Sequence, residues 1–384
     1  MSLILTIENH GLKIGNLSMN NIELNTNSSK YSPNTFLRKD VQYCLKKVPT
    51  DFLVEEVPHF YKPSIEKQIW HFQLRKEGMT TSEAVKNIAN ILEIPESHIG
   101  YAGLKDEDGI TSQRISIQSL SRNIDTHAIN AHLDMASGKW LSLHEVGCFE
   151  ENIKIGQLVG NSFRIVIRNL DKPIAHALAK QTSYHHAFIN YYDTQRFGVP
   201  GGPSTTHLIG QAFHHGKWEK ALSLICQSAS PEAQAAQKWQ GKAEHFFHQL
   251  DPRRLSFYYA SYGSYQWNNL VAQEFQRYHQ ALHVMRSSIP YVLPTAYSDV
   301  MTFAATTSWY PFTRFNIVNG KKVEKQSLRP TIVHTFIKVI DLNEDHEFPD
   351  RSSLTVEFFL PSGCYATMAV CQFIHLANKQ FFTV

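Results

Sequence analysis

Strand-like segments crowd both ends of this sequence, and a polar, helix-rich block lies between them; few single folds accommodate that order. Residues 52–57 and 69–74 have strand texture, 99–103 reads as a short buried strand, and 114–118 alternates apolar with polar. Another strand falls at 163–168, and the texture returns at 332–337 and 354–360. One early helix has a legible start. Thr80 and Glu83 stand at capping-box spacing, and Ala84, Val85, Ile88, Ile91 and Leu92 repeat at helical spacing until Pro95. The patterns predict further helices over 173–190 and 265–286, and Ser230-Pro231 opens another. The expected fold class is therefore α+β. Its sheet domain comprises 41–186 plus 317–384, interrupted by a helix-rich insertion over 187–316. Residues 1–40, rich in Asn and Ser and weak in periodicity, are expected to form an N-terminal extension.

Composition removes several classes. Hydrophobic residues make up 42% of the chain, enough to bury a core, which excludes wholesale disorder. Five cysteines without a C-x-x-C pair argue against a disulfide-stapled module or a zinc ribbon. The apolar stretch before Glu8 is too short for a secretory leader, and no run approaches the ~20 apolar residues of a spanning helix. A cytoplasmic protein with no membrane partner is expected. No G-x-G-x-x-G, P-loop or G-x-S-x-G occurs. His144-Glu145 begins a zinc-protease motif, but Cys148 stands where the second histidine is needed. Asp106, Asp108 and Gly109 lack the spacing of a calcium loop. The twenty histidines include the doublets His185-His186 and His214-His215, whose neighbours diverge on a helix, so no metal is expected. The formal charge of +3 neither demands nor excludes a polyanionic partner.

What remains is the loop 103–113, where Lys105-Asp106 lies between two predicted strands. It is either a polar turn or a carboxylate held at a strand end beside cations that keep it ionised. Here the sequence resembles the TruD family of tRNA pseudouridine synthases. Ala102 to Gln113 matches the family's A-G-x-K-D-x-x-x-x-T-x-Q loop at each fixed position. Lys46 to Glu56 is similar to its K-x-x-x-x-D-F-x-V-x-E strand, and Gly160 to Arg168 to its G-N-x-F strand. Asn190 to Gly198 is close to N-Y-F-x-x-Q-R-F-G, Ser264 to Asn268 is a looser match to S-x-x-x-N, and Leu360 to Thr367 resembles L-P-x-G-S-[FY]-A-T with Cys364 for Ser. Three positions at which family members often carry a basic residue read Glu107, Gly263 and Cys371.

The resemblance implies a pseudouridine-synthase-type mixed, mainly antiparallel sheet with flanking helices, interrupted by the helix-rich insertion. It implies an isomerase acting on RNA, tRNA in the usual case and uridine 13 within it, as a monomer. Breaking C1′–N1 and rejoining the uracil through C5 needs no redox step, so no cofactor and no metal are expected. By the same resemblance Asp106 is the catalytic carboxylate, attacking the substrate or abstracting a sugar proton, with Lys46 and Lys105 as candidate cation partners and Lys46 preferred. Phe52, Glu56, Asn161, Phe163, Gln195, Arg196 and Tyr365 are the implied substrate contacts, since a flipped uridine needs an aromatic face and a group to read its edge. On pattern alone, Phe52 and Phe163 open hydrophobic strands and would pack in the core. An RNA-binding protein without catalysis and a metal-dependent hydrolase are the competing readings.

Overall fold

Alternate residues of β1 (Phe52–Pro58) face inward, with Phe52, Val54 and Glu56 buried, and the same period of two runs through its neighbours. In this computed structural model, which describes residues 42–382 apart from 65–68, 119–125, 132–137, 200–201 and 319, β2 (Ile69–Glu77), α1 (Thr81–Leu92) and β3 (Ile99–Tyr101) precede β4 (Ile110–Gln118). Then come α2 (Thr126–Ala131), β5 (Trp140–Phe149), β6 (Leu158–Leu170), α3 (Lys172–Leu178) and β7 (Ser183–Ile189). The helical block holds α4 (Thr206–His214), α5 (Trp218–Cys226), α6 (Ala233–Gln237), α7 (Ala243–Gln249) and α8 (Pro252–Gln276). After it lie hairpin β8 (Ala281–Arg286) and β9 (Ile289–Pro294), α9 (Tyr297–Thr306), and hairpin β10 (Trp309–Val318) and β11 (Lys321–Pro330). The chain then returns through β12 (Ile332–Glu344), β13 (Ser352–Pro361) and α10 (Ala366–Phe382).

The central sheet runs β5-β2-β4-β1-β6-β13-β12-β7, with β3 paired to β4. This is the mixed, mainly antiparallel sheet expected of the α+β class. Its parallel pair is β1 with β4, in register Leu53 to Ile110. Parallel neighbours need a crossover, here built from β2, α1 and β3. The crossover leaves the leading ends of β1 and β4 side by side, and the site is there. On the same face α1 packs over Phe72, Leu74, Ile115 and Ile117. Helices α3 and α10 pack farther along it, over Phe52, Ile165, Ile167 and Val356.

The capping box at α1 forms as predicted: Glu83 N donates to Thr80 Oγ1 (3.1 Å) and Thr80 N donates to Glu83 Oε2 (2.7 Å). The helix ends at Leu92, before Pro95, because Glu93 turns into the left-handed region at φ 54°. Two helix expectations are corrected. The helix predicted over 173–190 stops at Leu178, and 183–189 is edge strand β7, paired to β12 from Ile332 opposite Ile189. The helix predicted over 265–286 begins at Pro252 behind its Asp251 cap and ends at Gln276, while Ala281–Arg286 pairs with β9. In both places a strand partner from farther along the chain overrides helical spacing. The expected boundary at 316/317 falls inside hairpin β10–β11. That hairpin packs on α8, with Phe315 4.8 Å from the Tyr259 ring, and the central sheet resumes only at Ile332. The expected extension at 1–40 lies outside the described residues. Among the described residues no helix is long and apolar enough to cross a membrane.

Candidate active site

The parallel register explains how residues sixty apart in sequence meet. Lys46 lies just ahead of β1 and Asp106 just ahead of β4, so both approach from the leading ends of adjacent strands. Lys46 Nζ donates to Asp106 Oδ2 at 2.6 Å. The Lys46 side chain is 14% exposed and that of Asp106 34%, so the ammonium lies beneath a carboxylate that reaches the surface. Lys46 has φ 57°, a strained conformation for a residue with a side chain, and its Nζ also stands 4.4 Å over the Phe52 ring. The turn carrying it is pinned by Asp51, which accepts from Val48 N (3.1 Å) and from Arg168 Nε and Nη2 (2.8 and 2.7 Å). Gly109 closes the other side: a Cβ there would lie 2.4 Å from the Phe52 carbonyl oxygen.

Lys105 turns away from its neighbour. Its buried Nζ donates to Glu56 Oε2 at 2.5 Å, and Glu56 Oε1 accepts from Arg114 N at 3.2 Å. Glu56 is thereby engaged by protein groups on both oxygens. The Lys105 main-chain N donates to Thr81 Oγ1 (2.9 Å), Thr81 donates to Gln113 Oε1 (2.9 Å), and Gln113 Nε2 donates to Gly103 O (3.1 Å). That belt ties the Asp106 loop to the first residue of α1 and to β4.

Phe52 and Phe163 are buried beside the pair, 2% and 8% exposed, with their rings edge-on at 6.1 Å and Phe163 stacked on Phe358 at 5.5 Å. Both belong to the core beneath the Lys46–Asp106 pair. Asn161 sits opposite Glu56 in the β1–β6 register, and its Oδ1 is buried without a hydrogen-bond partner among the described residues. Thr111 Oγ1 and Thr367 Oγ1 share that condition. All three come from segments that the sequence singles out; Thr111 is wholly enclosed, whereas Asn161 is half-buried.

Arg196 and Tyr365 both border Tyr192 and make a second cluster. Gln195 is exposed on the short 3-10 turn Thr194–Arg196. Arg196 Nε donates to Ser264 Oγ (3.2 Å), and its guanidinium lies 5.9 Å from the Tyr192 ring. Tyr365 meets Tyr192 edge-on at 5.8 Å, and burial pushes its hydroxyl up to about 12. Arg329, absent from the sequence reading, binds this cluster together: it lies 4.2 Å over Tyr192 and donates to Asn190 Oδ1 (3.0 Å) and Gly363 O (2.9 Å). Lys76 was also missed. Its side chain continues the buried phase of Phe72 and Leu74 along β2, so the alternation itself was the available signal. No group of three or more His, Cys, Asp or Glu side chains fit to hold a metal ion occurs among the described residues. A separate groove of about 710 Å³ crosses the opposite face of the sheet, lined by Glu55, Arg75, Ser112, Arg164 and Glu357, and does not include Asp106.

A mixed sheet whose one parallel pair presents a carboxylate clasped by lysine, interrupted by a helical block, defines a fold class with a solved counterpart. A TruD structure from Methanosarcina mazei superposes with a TM-score of 0.52 over 87% of this chain and 93% of that one, at 19% identity, a likeness of fold. The family model described as tRNA pseudouridine synthase D (TruD) matches residues 35–297, and the chain belongs to that family. Among curated relatives, tRNA pseudouridine synthase D of Geobacter metallireducens is 29% identical over 52% of this chain and 46% of its own length. That of Syntrophotalea carbinolica is 29% identical over 60% and 64%, and the multisubstrate pseudouridine synthase 7 of Schizosaccharomyces pombe is 32% identical over 42% and 23%. The chain thus spans about half to two thirds of the two bacterial relatives and less of the third.

Proposed function

We propose that this chain is an RNA pseudouridine synthase with Asp106 as its catalytic carboxylate. The observation that carries the reading is the Lys46–Asp106 pair, set at the leading ends of parallel strands within a TruD-family fold. In the reaction the C1′–N1 bond breaks, the uracil turns, C5 bonds to C1′, the C5 proton leaves to solvent, and N1 takes up a proton in its place. Attack by Asp106 on the substrate and abstraction of a sugar proton both use the carboxylate as an anion, which the Lys46 ammonium complements directly. Asn161 would meet the uracil edge, and Phe52 and Phe163 would wall the pocket in which the flipped base lies. Gln195, Arg196 and Tyr365 would flank the target, with the helical block 187–316 and its hairpin clamping the RNA from above. The relatives named as tRNA pseudouridine synthases support tRNA as substrate, and uridine 13 as the target rests on the resemblance of the motifs alone.

The test is Asp106→Asn, assayed by tritium release from tRNA carrying C5-tritiated uridine. The rate should fall by about 100- to 10,000-fold or more, with RNA affinity retained in filter binding. Activity surviving in that variant would remove Asp106 from the chemistry. Wild-type binding without release would favour the RNA-binding reading.

A further inference from the structure

Lys76 is a charged side chain with no exposure to solvent, placed under the loop that bears Asp106. Its Nζ donates to the main-chain carbonyl of Asp106 at 2.9 Å and to that of Met79 at 2.7 Å. One ammonium thus bridges the catalytic-loop backbone and the residue just ahead of the α1 cap. A buried lysine is expensive for a fold, and an apolar residue in phase with Phe72 and Leu74 would pack without that cost. Nothing in the packing of β2 calls for a charge there. The carbonyl of Asp106 does.

We propose that Lys76 is a positioning residue for the reaction: its ammonium fixes the backbone of Asp106 so that the carboxylate stands on Lys46 and faces the substrate. The inference rests on the reading of Asp106 as the catalytic group. Burial pushes Lys76 down to about 8. The charges facing it are Asp106 and Glu107 from the loop and Glu83 from α1, which favour the ammonium, and Lys105, which opposes it. Thr111 opposite it on β4 and Leu141 opposite it on β5 carry no charge. As pH rises through about 8 the ammonium is lost, and the charge-assisted bond to the Asp106 carbonyl weakens with it. The rate of the chemical step therefore declines above that pH.

The experiment compares wild type, Lys76→Met and Asp106→Asn as full chains. Single-turnover tritium release from C5-tritiated tRNA is measured between pH 6 and 10, and hydrogen exchange of the 103–109 amides is followed without RNA. Lys76→Met should lose about 10- to 100-fold in rate with RNA affinity kept, and its profile should lack the decline that wild type shows above about pH 8. Its loop amides should exchange faster, and the difference from wild type should shrink as pH rises. A merely structural lysine would leave the shape of the pH profile unchanged. Wild-type rate, profile and loop protection in Lys76→Met would overturn the proposal, even with Asp106→Asn inactive. An active Asp106→Asn would instead overturn the reading on which it rests, while the exchange measurement still decides whether Lys76 holds the loop.

Discussion

Gly263 lies where α8 meets β10, and a Cβ at this position would stand 2.5 Å from the Phe315 ring and 2.9 Å from the Thr313 carbonyl oxygen. A long basic side chain has no room here, because the hairpin sits too close to admit one. Gly263→Ala gains up to ~1 kcal/mol of helix propensity and loses about 1–3 kcal/mol to overpacking, so a net fall in the urea midpoint is expected. Gly263→Arg should lower it further. The site was legible to different depths at this scale. Asp106 stood out in the sequence because the loop around it matches a pattern. Which lysine it pairs with could not be read from adjacency, since Lys105 turns to Glu56 and the partner comes from sixty residues upstream. The parallel register that joins them is a property of the sheet.

At the scale of elements, the leading turn of β1 hangs on one side chain of β6. Arg168 donates to both oxygens of Asp51 and through Nη1 to Asp345 (3.0 Å), and the two carboxylates are 1% and 6% exposed. Burial alone would raise Asp345, but bonds from the Asn169 and Glu347 main-chain N–H groups and from Arg168 outweigh it and hold the carboxyl below its ordinary range. Arg168→Met leaves two buried carboxylates without their cation, a loss of about 3–5 kcal/mol expected in urea unfolding. Because Asp51 anchors the turn that carries Lys46, the variant should also lose rate under conditions where it remains folded. Strands such as 52–57 and 354–360 were legible because their own alternation decides their fate. Residues 183–189 were not: His186, Ala187, Phe188 and Ile189 are all buried, which blurs a period of two, and their partner β12 lies about 150 residues later.

The histidines act on the whole molecule. His186 on β7 donates through Nε2 to the Ala369 carbonyl oxygen (3.0 Å), and burial above all pushes it down to about 3. His207 on α4 stacks on Tyr265 at 4.2 Å, and burial pushes it down to about 4. One lies in the sheet and the other in the helical block, so protonating both strains each half of the fold. A histidine whose folded value is depressed binds its proton more readily in the unfolded chain, whose value is about 6.5. Its contribution to stability is thus complete above about 6.5 and is lost as pH falls from there toward 4 and 3. Asp345 acts in the same direction at the lower end, since its bonded anion must also be protonated. The urea midpoint should therefore drop steadily between pH 7 and 4, and the transition should stay single because both halves are loaded together. His207→Phe removes a titrating group whose Nδ1 is buried without a partner among the described residues, so it should flatten the slope below pH 6 while leaving the neutral midpoint nearly unchanged. A slope identical to wild type in that variant would transfer the acid sensitivity to other groups. Chelator at neutral pH should leave the midpoint where it is, because His186 is set between Phe188 and the Ala369 carbonyl and His207 against the Tyr265 ring.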